Sequence, residues 1–423
     1  MKHRLSALIL CLVAFGYHAS ATVHTVDSLA ALQERINNAQ PGDTIVIKDG
    51  TYTVEQTINV TSVGTKERPI TIKAETVGGV ELVGPQGLSV RSGAAHIIIS
   101  GINFLHDAGR TNIAAGAQHI RITRCTFSGQ GRGAFLMVAG DDIEIDHNLF
   151  RDKNRFGNML DIRGANGQVA RRVHVHHNHF RDFSRSIVAG ETNDLEVIRF
   201  GLSGLSMSTG DGIVEYNLFE RCVGENELIS NKSSGNIYRY NTFLDSRGSE
   251  LSLRHGNDVK AYRNYFHGTQ GIRIFGDRNE IFENFISYGN IGIHIGNGGA
   301  EVADGAPLTS HDRPDDTVIR NNVLVNNQRQ YIMARRNNGL GAPRTTFAEN
   351  IIIGGNIVAR IEGPYPDPVW RDNIVWNVAE IGDMPESGFR RADPGVITPE
   401  SMGIRVLTPA DVGPAAYKPA TTQ

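Results

Sequence analysis

Short runs of alternating or β-branched apolar residues recur along the chain: "HIIIS" from His96, "HIRIT" from His119, "DIEID" from Asp142 and "RVHVHH" from Arg172. Alternation with period two is a strand signal, not a helical one. An Asn-x-(Phe or aliphatic) unit closes these runs, at Asn103, Asn148, Asn178, Asn217, Asn241, Asn264, Asn284, Asn322, Asn350 and Asn373, with Cys125 in the Asn place of its own unit. Successive spacings are 22, 23, 30, 39, 24, 23, 20, 38, 28 and 23, a basal period near 23 broken by insertions. Leucine-rich repeats share that period but need a leucine pattern that is missing, and helical repeats need a 3.6-residue period. The pattern predicts an all-β, single-domain, right-handed parallel β-helix of about eleven or more coils, each stacked on the next at about 4.8 Å. The asparagines read as an internal ladder at a tight bend, where Asn tolerates the left-handed conformation.

A solenoid needs covered ends, because open strand edges pair with other chains. Residues 27–40, within "DSLAALQERINNAQPGD", predict an amphipathic cap helix stopped before Pro41-Gly42. From about Pro385 the repeat fades and prolines recur at Pro394, Pro399, Pro409, Pro414 and Pro419, which predicts an irregular tail over 386–423, partly packed on the last coil. Lys2, His3 and Arg4, an apolar run from Leu5 to Gly16, and Ala19-Ser20-Ala21 make residues 1–21 a secretory signal peptide. The expected product, 22–385 plus the tail, is soluble, monomeric, not membrane-bound, and secreted or periplasmic.

Net charge is −3, which excludes a broad nucleic-acid-binding surface; an anionic polymer would need a local basic patch. Only Cys125 and Cys222 follow the leader, too few for a disulfide framework. Each ends a strand-like run in an "RC" context, which reads as a buried thiol, with a bridge between the two as the alternative.

In such a fold, residues one coil apart in sequence are neighbours in space, so chemistry shows as polar residues at coil spacing. "ENELISNKSSGN" places Glu225 and Glu227 two apart, on one face of a strand. Adjacent carboxylates repel unless they hold a cation or share a proton, and Ca²⁺ prefers such oxygen ligands; a solvated acidic edge is the plainer alternative. Lys232 is followed by Arg254 after 22 residues, Arg273 after 19 more and His294 after another 21. A vertical column of cations repels itself and suits a polyanion groove, against the alternative of scattered surface charge. Arg335-Arg336 reads as a distal anion site or as surface charge. His174, His176, His177 and His179 read as a solvated face before they read as metal ligands.

At these residues the chain resembles the chondroitinase B and alginate lyase family, polysaccharide lyase family 6. "ENELISNKS", the later "LRHG", "NYF" and "GIRIFG", and the cap leading into "GDTIVIKDGTY" carry the resemblance, over most of 25–360 and most strongly over 190–300. It implies a Ca²⁺-assisted lyase acting on an anionic uronate polysaccharide, with Lys232 as general base, Arg254 as partner acid, and Glu225, Glu227 and Asn193 as calcium ligands. His255, Arg273, His294, Arg335 and Arg336 would line the substrate groove. Removing a uronate C5 proton requires the charge developing on the carboxylate to be neutralised, which a cation does, and neighbouring cations favour a lysine's basic form. Arginine is too basic for a literal acid, so Arg254 would stabilise charge while water or His255 supplies the proton. Parity separates Lys232 from the Glu pair unless the chain bends, and Ser230-Asn231 is the expected bend. Two rivals stand: a glycoside hydrolase, for which Asp141 and Asp142 are the only local carboxylate pair, and a non-catalytic glycan-binding β-helix. Alginate is the first substrate expectation and dermatan sulfate the second.

Overall fold

Each coil lays down three short strands, and equivalent strands of successive coils pair in parallel. The computed structural model describes residues 21–106 and 111–417; the signal-peptide reading falls on 1–20, outside the described residues, and on Ala21. The strands form three long sheets of 14, 13 and 14 strands. The first runs from Val23–Val26 to Val369–Arg371, the second from Ile58–Val60 to Glu380–Gly382, and the third from Gly50–Thr53 to Phe389–Arg391. This is a parallel β-helix. No helix among the described residues is long and apolar enough to cross a membrane.

The sequence builds this fold by turning one apolar row inward on each sheet. Ile97, Ile120, Ile143 and Ile99, Ile122, Ile145 stack in register in the first sheet and are buried. In the third, Phe104, Phe127, Phe150, Phe180, Phe219, Phe243 and Phe266 form a continuous stack with centroids 4.4–4.9 Å apart, near the coil spacing, so offset stacking comes without distortion. Cys125 and Cys222 are free, buried thiols, and burial pushes both up to about 12.

The asparagine ladder stands at the corner between first and third sheets, with a geometry that differs from the expected one. From Asn148 to Asn373 each Asn is fully buried. Asn148 donates its backbone N–H and its Nδ2 to Asn178 Oδ1 (2.9 and 3.0 Å) and Nδ2 also to Ile122 O at 2.9 Å; Asn217, Asn241 and Asn264 repeat the scheme. The left-handed residue is the one before: His147, Tyr216 and Asp372 have φ of 51, 52 and 57°. The amide is therefore selected for bonding, not for its backbone. Asn103 is off the ladder by one: it pairs with Thr126 and donates to Gly78 O at 2.9 Å, leaving Ile102 beneath Cys125.

Helix Leu29–Asn38 covers the first coil with Leu32 and Ile36, its start capped by Ser28 Oγ. At the other end Phe389–Arg391 adds a last strand to the third sheet. The tail then does not stay on the last coil but runs back along that sheet's outer face. Ile404 packs on Phe285 and Val323, and Leu407 and Val412 on Leu218. Gly413 N–H donates to His177 O, and the Tyr417 ring meets His147. Outward apolar side chains on the third sheet supply the reason, since uncovered they would form an exposed apolar stripe. The second sheet's outer face is left open.

Candidate active site

That open face carries the chemistry. Strand Glu227–Lys232 lies between Ile198–Phe200 of the preceding coil and Glu250–His255 of the next, followed by Ile272–Ile274 and Ile291–Ile295. The longest insertions flank it, with 184–197 leading in and 296–317 following Ile291–Ile295.

The strand's alternation breaks at Leu228-Ile229, where two consecutive side chains enter the core. The register slips there and again opposite Arg254. A bulge re-aims every residue beyond it. Glu227 therefore faces outward, as do Ser230, whose hydroxyl bonds the Glu227 carboxylate, and Lys232. The bend that reunites the acidic pair with the lysine is thus at Leu228-Ile229, not at Ser230-Asn231; Asn231 points inward and donates to Ser233 O and His255 O, each 2.9 Å. The preceding coil has the same double entry at Val197-Ile198, and it brings Glu196 over Glu227.

Glu196, Glu225 and Glu227 consequently present carboxylate oxygens within 4.8 Å of one another. Burial, followed by repulsion from Glu196 and Glu227, pushes Glu225 up to about 9. Burial acts on Glu227 in the same sense, but Arg273 and Arg254 outweigh it and hold that carboxylate below its ordinary value. Arg254 Nη1 lies 2.6 Å from Glu227 Oε1, and Arg273 bonds the same oxygen. Arg273 also reaches Glu250 at 3.3 Å and Ser252 Oγ at 2.8 Å. Lys232 Nζ is 3.4 Å from Glu196 Oε1. A cavity of about 410 Å³ opens here, lined by Asn193, Glu225, Glu227, Arg254, Arg273 and the loop from Arg185.

The candidate residues thus separate into those the fold gathers and those it does not. Lys232, Arg254, Arg273, Glu225 and Glu227 converge, and Asn193 is exposed on the cavity wall. His255 is buried behind them, opposite Lys232 and against His311 at 5.1 Å; burial, aided by His311 and Arg254, lowers it to about 3. His294 sits beside Arg273 in register, and Arg335 and Arg336 lie beyond; none of the three lines the cavity. Arg336 donates to Ser310 of the 296–317 loop. The expected single column of cations is not formed. Lys232 is opposite His255 because the register slips at Arg254, Arg273 is opposite Ser252, and Glu227 and Glu250 intervene between the charges.

Glu196, Glu250 and His311 escaped the sequence reading. A signal for the first was present: "EVIR" from Glu196 and "ELIS" from Glu227 share Glu-apolar-Ile, the local form of the double entry. The second acid and histidine group, Glu144, Asp146 and His176, differs in kind. Asp146 already accepts two bonds from Arg121, one from Thr123 and one from His147, and His174 is bonded to Glu215 at 2.8 Å. That face is a saturated ion-pair lattice. Asp141 and Asp142 are likewise committed to Arg171 and Arg172, which takes away the local carboxylate pair a hydrolase would use.

Solved structures share this architecture. A mannuronic acid specific polysaccharide family 6 lyase from human gut microbiota is 26% identical, with TM-score 0.75 over 88% of this chain and 91% of its own. The family 6 alginate lyase AlyGC is 27% identical, with TM-score 0.74; the match covers 88% of this chain and 53% of AlyGC, so this chain spans about half of that protein. A family 6 alginate lyase solved with a trisaccharide shares the fold at 21% identity and TM-score 0.77, over 95% of this chain and 97% of its own. No curated protein matches in sequence. The profile of the family described as chondroitinase B matches residues 26–374. A match over most of the chain, on a β-helix whose open face gathers a lysine, two arginines and three glutamates, shows that this protein belongs to the chondroitinase B family and is a polysaccharide lyase.

Proposed function

We propose that the protein cleaves alginate, a polymer of mannuronate and guluronate, by β-elimination assisted by calcium. The observation that carries this reading is the convergence of three carboxylates, within 4.8 Å of one another, with the Lys232 amine on Glu196 and the Arg254 guanidinium on Glu227. The donor set fits a hard divalent cation: three oxygens lie within one coordination sphere's reach, and in the cation's absence Glu225 is ionised only at a cost. Glu196, Glu225, Glu227 and the Asn193 amide would hold it. When bound, calcium supplies charge neutralisation to the uronate carboxylate. Lys232, on the same face, takes the C5 proton. Arg254 stabilises the charge that develops beside it, and Arg273 positions Arg254 by sharing Glu227 Oε1 with it. His255 is held by burial as a neutral imidazole, a weak acid, so water is the donor to the leaving oxygen. His294, Arg335 and Arg336 serve more distant sugars of the polymer. The polymer is met outside the cytoplasm, with residues 1–21 as the export signal; the intact mass of the exported protein tests that point.

The substrate is tested by incubating the purified protein with polymannuronate, polyguluronate and dermatan sulfate, following near-ultraviolet absorbance of unsaturated uronate. Absorbance should rise on the first two. A rise on dermatan sulfate alone would replace alginate with an iduronate polymer, and reducing ends without absorbance would contradict elimination.

A further inference from the structure

Of the arginines lining the cavity, Arg254 and Arg273 are both engaged by Glu227. Arg185 lines the same cavity, is exposed, and forms no ion pair among the described residues. Its backbone is nevertheless fixed on both sides. Ser184 N–H donates to Lys153 O at 2.9 Å and Ile187 N–H to Asn154 O at 3.1 Å. Ser186 Oγ donates to Glu191 Oε2 at 2.6 Å, and the Glu191 carboxylate is in turn held by Phe156 N–H at 2.9 Å, Arg132 at 3.1 Å and Arg155 at 3.4 Å. An anchored backbone that presents an uncommitted guanidinium to a cleft is a preorganised anion site, and the fork of arginine matches a carboxylate.

Position along the solenoid says which carboxylate. Arg185 belongs to the loop that leads into the Glu196 coil, whereas Arg254 and Arg273 stand on the two coils after Glu227. Coils advance by about 4.8 Å, and alginate carries one carboxylate on every sugar. We propose that Arg185 binds the carboxylate of the uronate adjoining the one attacked, on the Glu196 side of the cleft, forming a second anion subsite. This rests on the lyase reading given above.

The test uses the full chain with Lys232→Ala, which permits binding to be measured without turnover, alone and combined with Arg185→Ala or Arg185→Lys. Titration calorimetry with uronate pentamers, and with the same pentamers carboxyl-esterified, gives the affinities. Loss of Arg185 should weaken the acid pentamer about tenfold and leave the ester unchanged, with Arg185→Lys between. Equal affinity of the acid pentamer for both proteins would overturn the subsite, as would equal loss for acid and ester. Turnover by Lys232→Ala at the wild-type rate, or no binding of any pentamer by it, would instead overturn the lyase mechanism on which the subsite rests.

Discussion

Lys153 is 1% exposed, its amine donating to Gly133 O at 2.8 Å and lying 4.4 Å from the Phe135 ring centre. Burial, with Arg155 nearby, lowers it from the ordinary 10.5 to about 7. Because the unfolded chain binds this proton more tightly, the native state is penalised below pH 10.5; the penalty grows as pH falls to about 7 and is constant below. Lys153→Met should therefore gain stability over wild type across that window, by a few kcal/mol at neutral pH on an order-of-magnitude scale, measured by urea unfolding at stepped pH. A gap independent of pH would mean the lysine is not neutralised by folding. Among the site residues, Glu196→Gln should weaken calcium binding about tenfold or more, read by calorimetry; unchanged affinity would remove Glu196 from the ligand set. Lys232 and Arg254 were legible in the sequence because they recur near the coil period, and Glu225 and Glu227 because they stand two apart, the spacing of one strand face. Glu196 was not, since the 31 residues from it to Glu227 cross the insertion at 201–212, although its "EVIR" context repeats "ELIS".

At the level of elements, the repeat was readable because alternation and the Asn unit are local patterns, and each strand meets its equivalent one coil on. What could not be read was parity. Leu228 and Ile229 look like any apolar pair in a strand, and only the register of three stacked coils shows both entering the core. The shift of Asn103 has the same character: the letters match the unit, but the register places Ile102 on the ladder line. The ladder itself makes a sharp expectation. Asn241 accepts from Asn217 N–H and Nδ2 and donates to Val214 O and Asn264, so Asn241→Ala leaves several buried groups unpaired. It should cost about 2 kcal/mol or more in urea unfolding, whereas Asn103→Ala, at the half-exposed position, should cost well under half as much. Equal losses would mean the ladder contributes nothing particular.

Across the whole molecule, labour divides between two outer faces. The third sheet is covered by the returning tail, through Ile404, Leu407 and Val412, and the second is left to the substrate. The tail's composition revealed its irregularity but not its path, because the apolar stripe it covers is assembled from residues as far apart as Leu218 and Val323. Ending the chain after Arg391 should expose that stripe and lower the unfolding temperature, with aggregation seen by light scattering; a truncated protein as stable as the full one would show the tail to be passive. Chelation should abolish turnover reversibly while the far-ultraviolet circular dichroism of the β-helix persists, and turnover that survives chelation would exclude calcium. The central claim, elimination begun at Lys232, is tested most directly by digesting polymannuronate with wild type and with Lys232→Ala and recording near-ultraviolet absorbance against time. Wild type should generate the unsaturated chromophore, and the variant should be slower by a factor of about 10² to 10⁴. A variant that generates it at the wild-type rate would contradict the mechanism.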